Sequence, residues 1–315
     1  MKKHLPRWRE EQKERKANKT RRFAFSCLFL ILLILLGGLG YKIYGSISKS
    51  IWDGKNQINL AFDAQPVAIA SFNPQENSAN ILIIPNGTLV EAAWGYGPYR
   101  AESLFGLGEL DGRGGEVLTT SLQEYLGIPI DAYASMQSAK CKPSSRAQVE
   151  GVQSAKEAKD SILGVFLSFL KNGGKTNLTK WDLFRLWWKI NNIPEDKIKI
   201  FDLDPQLLEQ IISGFAIDEK IKEEDLAIAV LNATDQPGLA TKGSRLARNI
   251  GGRVIGIGEL ENGEWKMENG KCQIRSKKIY KNSYTVKKLS KIFNCDWGGE
   301  NLEGQRAEVV LIIGR

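Results

Sequence analysis

LAIAVLNATDQPGLATKGSRLARNIGGRVIGI, residues 226–257, is the stretch on which the fold turns. Its opening, Leu226–Leu231, is a short apolar run of the kind that fills a buried strand. Asn232, Asp235, Pro237 and Gly238 then break the run as turn residues do. Gly238–Ile250 reads as a helix and Arg253–Ile257 as a second strand. The alternation continues through an extended segment at Cys272–Ile279, a helix at Ser283–Phe293 and a last strand at Glu308–Ile313. Strand and helix in alternation predict a small α/β domain over residues 226–315.

Upstream, Ile217–Asp225 is dense in charge and reads as the end of an interdomain linker, residues 213–225. Before it, residues 64–212 carry a second α/β pattern. Pro66–Phe72 and Ala79–Ile84 are strand candidates separated by the turn Asn73-Pro74-Gln75-Glu76-Asn77, a link short enough for an antiparallel pair. A glycine-dense loop from Gly95 to Gly115 leads into a helix at Glu116–Leu126, where Val117, Leu118, Leu122, Tyr125 and Leu126 recur at helical spacing. Ile128–Met136 reads as a strand, and Ser154–Leu170 and Thr179–Ile190 as helices. Trp181, Trp187 and Trp188 are expected to pack this helical part onto the sheet, with a ligand-stacking platform as the alternative. Residues 45–63, with Ile47, Ile51, Trp52 and Ile58, read as a connector.

The amino-terminal end sets the expected location. Phe23–Tyr41 is an uncharged apolar stretch of 19 residues, and at about 1.5 Å per residue it matches a bilayer core of roughly 30 Å. A transmembrane helix is therefore expected over 23–44; the alternative is a cleaved signal, whose apolar region is usually shorter. The tail 1–22 holds ten basic residues against three acidic ones, a balance of +7. By the positive-inside rule it stays cytoplasmic and the rest is extracytoplasmic. The whole chain is +8, so the part beyond the tail is near neutral and gives no reason to expect a nucleic-acid partner.

Side-chain inventory excludes several chemistries. The single histidine is His4, so the exported part can build neither a Ser-His-Asp triad nor an imidazole metal site. The four cysteines, one of them Cys27 in the apolar stretch, show no CxxC spacing. Cys272 and Cys295 are a candidate disulfide with Cys141 left over; three free thiols are the alternative. Gly173-Gly174-Lys175-Thr176 suggests a phosphate loop, but Phe169 stands where that pattern needs glycine, so a helix-ending turn is expected.

Two places carry a family resemblance. Leu231-Asn232-Ala233-Thr234, then Pro237-Gly238-Leu239-Ala240 and Ile250-Gly251-Gly252, resemble the LytR C-terminal domain, whose signature is VLNGTG, GLA, a helix and a glycine before the next strand. Asn232, Thr234 and Gly238 become a candidate ligand loop, because the first amides of the helix they open could receive an anion; ordinary capping is the alternative. Residues 64–212 resemble a LytR-CpsA-Psr catalytic domain in Ile83-Ile84-Pro85-Asn86-Gly87-Thr88, Tyr99-Arg100, Gly114-Gly115 and Leu126-Gly127-Ile128-Pro129-Ile130-Asp131-Ala132-Tyr133. The resemblance implies an α/β fold with an amino-terminal transmembrane helix, a LytR-CpsA-Psr-like sandwich and a small C-terminal α/β domain.

The resemblance also implies transfer of glycopolymers from polyprenyl-pyrophosphate carriers to peptidoglycan, with arginines, carboxylates and Mg²⁺ handling the pyrophosphate. The family loop normally reads Pro-Arg-Asp-Thr, whereas Asn86 and Gly87 stand here. The later arginine cluster is missing too, with Arg146 and Arg185 alone between Cys141 and Gly214. Since preorganised charge is what phosphoryl transfer depends on, the expectation is a non-catalytic binding or scaffolding protein. No catalytic residue, cofactor or metal ligand is then assigned, and Arg100 and Arg113 are the candidate pyrophosphate binders. The expected partners are the lipid bilayer, polyprenyl-linked glycans, peptidoglycan and envelope proteins. The alternative is an active, diverged transferase using Arg100, Arg113, Glu102, Glu109 or Asp111, with Mg²⁺.

Overall fold

Alternation along two strands builds the first sheet. β2 (Val67–Asn73) and β3 (Ser78–Ile84) pair antiparallel. Val67, Ile69, Leu82 and Ile84 enter one core, while Ala68, Ala70, Phe72, Ala79 and Ile81 enter the other. A sheet apolar on both faces must be covered on both. The computed structural model that shows this describes residues 45, 47–135, 154–260, 272–302 and 305–314. The chain divides into two units, Met1–Ser50 and Ile51–Arg315; the sheets belong to the second. The expected span 23–44, Cys141 and Arg146 lie outside the described residues. No described helix is long and apolar enough to cross a membrane.

The sheet gains β1 (Ile58–Asp63) antiparallel to β2, β6 (Ala132–Ser135) parallel to β1, β7 (Lys175–Thr176) on the edge of β6, and β8 (Ile198–Asp202) parallel to β3. The order is β7-β6-β1-β2-β3-β8. A separate hairpin, β4 (Leu89–Ala92) with β5 (Gly97–Arg100), is followed by α1 (Leu104–Glu109) and α2 (Gly114–Leu126). α2 buries Leu118, Leu122 and Leu126 on one face of the sheet, each burial stabilising by about 1.5–3 kcal/mol. On the other face lie α3 (Ala155–Asn172) and α4 (Lys180–Asn191), with Phe166, Phe169, Leu183 and Leu186 against Leu60, Phe62 and Phe72. Ser154 caps α3 by accepting from the Glu157 amide, and Thr179 with Asp182 forms a capping box on α4.

Several expectations are corrected here. Residues 45–63 do not merely connect, because β1 lies within them, wholly buried in the middle of the sheet. The strand expected from Ile128 begins at Ala132, since Asn59 holds the preceding segment by donating from Nδ2 to the Pro129 carbonyl, 2.9 Å. Trp188 does not pack onto the sheet: it is 57 % exposed, and Leu183, Leu186 and Ile190 hold the helix down instead. The Gly173-Gly174-Lys175-Thr176 stretch is the helix-ending turn expected, with Gly173 closing α3 at φ +72°, and Lys175-Thr176 then enters β7.

The carboxy-terminal body has sheet order β10-β9-β13-β11-β12. β9 (Ala227–Asn232) lies parallel to both β10 (Arg253–Glu259) and β13 (Val309–Ile313); β11 (Gln273–Ser276) runs antiparallel to β13 and parallel to β12 (Asp296–Gly299). α7 (Leu239–Asn249) and α8 (Tyr284–Phe293) pack on it. Cys272 and Cys295 are joined by a disulfide, Cα atoms 4.4 Å apart.

The stretch expected as a linker, 213–225, is anchored in both cores by a few buried residues. α5 (Leu208–Ile212) leads to Phe215 and Ala216, which are buried in the first body's core. α6 (Glu219–Glu224) then buries Ile221 in the second. The two bodies meet where α7 covers the end of α2. Arg245 donates to the Glu124 and Tyr125 carbonyls at 3.3 and 3.1 Å, and Asn249 donates to Gly127 at 2.9 Å. Those are carbonyls that a helix end leaves without partners.

Candidate functional site

Parallel pairing puts the carboxyl ends of β1 and β6 side by side, the place where α/β sheets usually receive ligands. Asp63 ends β1, opposite Ser135 in the register. Asp63 is fully buried and accepts the Ser135 hydroxyl at 2.6 Å. Asp63 lies two residues after Ala61, and Ser135 two after Tyr133, so by strand alternation both point to the α2 side. Over them comes the start of α2. Gly115 is required there, since a Cβ would fall inside the Tyr133 ring, and Gly114 leaves room for the Glu109 side chain. Burial raises the Tyr133 hydroxyl pKa, and the Glu116 charge adds to that.

Charged side chains gather around this helix start in matched pairs. Glu109 forms an ion pair with Lys175, whose ammonium lies 5.9 Å over the Phe105 ring. Tyr96 donates to Asp111, and this hydrogen bond, ahead of burial and charge, raises the Tyr96 pKa. Arg113 lies over the Trp94 ring at 5.9 Å. Trp94, at φ +62° and half exposed, forms the turn between β4 and β5. Arg100 stands at the other end of this hairpin, opposite Leu89. Three register steps, about 10 Å, separate the two ends. The structure thus does not bring Arg100 and Arg113 to one contact, yet among the described residues neither is paired with a carboxylate.

The Asn86-Gly87 turn has an internal partner. The Gly87 amide, at φ +84°, donates to both carboxylate oxygens of Glu102 at 3.0 and 3.2 Å. Thr88 closes the turn by donating its hydroxyl to the Pro85 carbonyl at 2.7 Å. Glu102 is therefore spent on holding the loop, as Glu109 is spent on Lys175 and Asp111 on Tyr96. Arg185 serves structure as well: it donates to the Trp52 carbonyl and pairs with buried Asp182.

In the carboxy-terminal body the loop candidates close on one another. Asn232 is buried, donates to the Gln236 carbonyl at 2.9 Å and accepts from the Thr234 amide and hydroxyl at 3.1 and 2.9 Å. Gly238, at φ +84°, opens α7. This arrangement is that of a turn that caps itself. Asp131, from the stretch resembling the catalytic domain, accepts the Asn59 amide at 2.9 Å and lies 3.6 Å from Lys288 of α8, so it tethers the two bodies.

Asp63 was missed in the sequence because INLAFD carries no alternation; its signal was a lone carboxylate ending an apolar run. Among the described residues no group of three His, Cys, Asp or Glu side chains gathers as metal ligands do.

No protein-family model and no curated protein matches the chain. Its neighbours among solved structures include LytR-CpsA-Psr family proteins, the family whose motifs the sequence resembles. Bacillus subtilis TagT is similar at 15 % identity, covering 49 % of this chain and 80 % of that one, TM-score 0.32. B. subtilis TagU is similar at 14 %, covering 50 % and 94 %, TM-score 0.35. YwtF (TagT), described as a LytR-CPS2A-psr family protein with bound octaprenyl pyrophosphate lipid, is similar at 16 %, covering 52 % and 91 %, TM-score 0.34. At such scores these likenesses carry no argument about what this chain does.

Proposed function

We propose that this chain is a single-pass, membrane-anchored protein of the cell envelope whose extracytoplasmic part binds polyprenyl-pyrophosphate-linked glycan and does not transfer it. The observation that carries the reading is the Pro85-Asn86-Gly87-Thr88 turn, where the resemblance implies an arginine and an aspartate. In their place a glycine amide is held by Glu102. Arg100 and Arg113 are not spent on carboxylates, and guanidinium groups in that condition suit phosphate oxygens. Through the bound glycan the protein would scaffold peptidoglycan or other envelope proteins.

The test uses the full chain in vesicles, with a polyprenyl-pyrophosphate glycan and Mg²⁺. Binding of about 1 μM, ~8 kcal/mol, is expected without release of polyprenyl phosphate. Arg100→Ala with Arg113→Ala should weaken binding at least about tenfold, the equivalent of ~1.4 kcal/mol. A reporter after Arg315 should be active outside the cytoplasm and one near Lys3 inside; a cytoplasmic carboxy terminus overturns the topology.

The transferase reading is favoured by a different observation. Asp63 is a fully buried carboxylate at the carboxyl end of a parallel strand pair, beside the start of α2. Turnover by the unaltered protein that vanishes in Asp63→Asn would establish that reading and displace the first.

A further inference from the structure

α4 has two apolar sides, and only one faces the sheet. Leu183, Leu186 and Ile190 are buried in the core. On the outer side Phe184 is 44 % and Trp188 57 % exposed. Trp181 stacks on Phe184 with centroids 5.9 Å apart. Arg185 lies between two indoles, 5.7 Å from the Trp52 ring centroid and 5.6 Å from that of Trp181. Trp52, Gly54, Phe184, Arg185, Trp188 and Lys189 line an open cavity of about 320 Å³. Asp182 fixes Trp52 at its edge by accepting the Ile51 and Trp52 amides at 3.2 and 3.3 Å.

We infer that this face of α4 rests on the bilayer surface, with Phe184 and Trp188 at headgroup depth and Lys189 beside lipid phosphates. The inference rests on the membrane-anchored reading proposed above. Length of chain selects the occupant. The expected span ends at Tyr44, and Trp52 follows eight residues later. Eight residues reach about 29 Å at full extension, so a bilayer lies within reach of the patch whatever path the connecting chain takes. Chemistry agrees with length. Indole rings with lysine and arginine beside them are the side chains that settle at membrane interfaces, where the apolar body sinks and the polar tip stays wet.

The test reconstitutes the full chain in phospholipid vesicles containing a lipid with a photoactivatable headgroup, and maps the crosslinks by mass spectrometry. Crosslinks within residues 180–192 are expected, falling at least about tenfold in the double variant Phe184→Ser, Trp188→Ser. Circular dichroism of that variant should be unchanged, and the map of the unaltered protein stands independently of it. A protein that resists alkaline extraction but shows no crosslink in 180–192 overturns the docking surface and leaves the anchor standing. One removed by alkaline extraction overturns the anchor and the docking with it. Crosslinks from α4 to a second copy, or Trp188 fluorescence quenched by soluble glycan in place of lipid contact, would give the face a different occupant and overturn the inference.

Discussion

Asp182 shows how much one side chain can hold. It is fully buried, caps α4 through Thr179, pairs with Arg185 and accepts two backbone amides from Ile51 and Trp52. Removing one partner of a buried charged network leaves the others desolvated, which costs about 3–5 kcal/mol. Asp182→Ala is expected to lose that much in denaturant unfolding, with Asp182→Asn less damaging because it keeps an acceptor. Gly115→Ala acts by volume instead. Its Cβ would enter the Tyr133 ring, and overpacking of this kind costs about 1–3 kcal/mol, read as a lowered midpoint at unchanged slope. The cap was legible, since Thr179-x-x-Asp182 is a start signal in any sequence. Its use by residues 130 positions away was not, because nothing local marks a long-range acceptor.

Helix α8 is secured at its start by two residues, one local and one distant. Ser283 accepts the Val286 amide, and the Glu224 carboxylate at the end of α6 accepts the Tyr284 and Thr285 amides at 2.7 Å each. Burial opposes ionisation of Glu224, but the bonds from Thr285 and Tyr284, helped by Lys220, prevail and lower its pKa. Its stabilisation is therefore complete above about 4.3, the ordinary glutamate value, and is lost as pH falls through the lower folded value. Glu224→Gln should remove that part of the acid dependence in melts between pH 6 and pH 3, and an unchanged acid limb would refute the cap. Helical apolar periodicity made α2, α3 and α4 legible, and short apolar runs bounded by turn residues made β2, β3 and β9 legible. β1 was hidden because Asn59 and Asp63 interrupt its apolar run, although all six of its residues are buried in the middle of the sheet. α6 was hidden because its single anchor, Ile221, stands among charges. The matched pairs Glu109–Lys175 and Tyr96–Asp111 were invisible for the same reason as the Asp182 contacts: they join residues that only the folded chain brings together.

The two α/β bodies behave as one folding unit only if they are coupled, and side chains that cross between them, Lys242 to Glu124 and Lys220 to Asn56 among them, supply the coupling. Arg245 donates to the last-turn carbonyls of α2 and pairs with Glu209 at 2.7 Å, Asn249 donates to Gly127, and Lys288 lies 3.6 Å from Asp131 with both side chains nearly buried. Opposing charge at the carboxyl end of α2 also complements its dipole. Arg245→Ala removes three of these contacts together and leaves acceptors near the covered helix end without partners, at about 1–3 kcal/mol for the buried groups. Each body keeps its own core and sheet, so the loss should fall on the coupling and leave the two folds intact. Calorimetry of the unaltered chain should then give one transition for the described bodies, and Arg245→Ala with Asn249→Ala should split it in two. The carboxy-terminal body, closed by the Cys272–Cys295 disulfide, is expected to melt last and to shift down when a reductant opens that bridge. A single transition in the double variant, displaced but undivided, would mean that the coupling lies in the segment 213–225, where Phe215 and Ile221 are buried in successive cores.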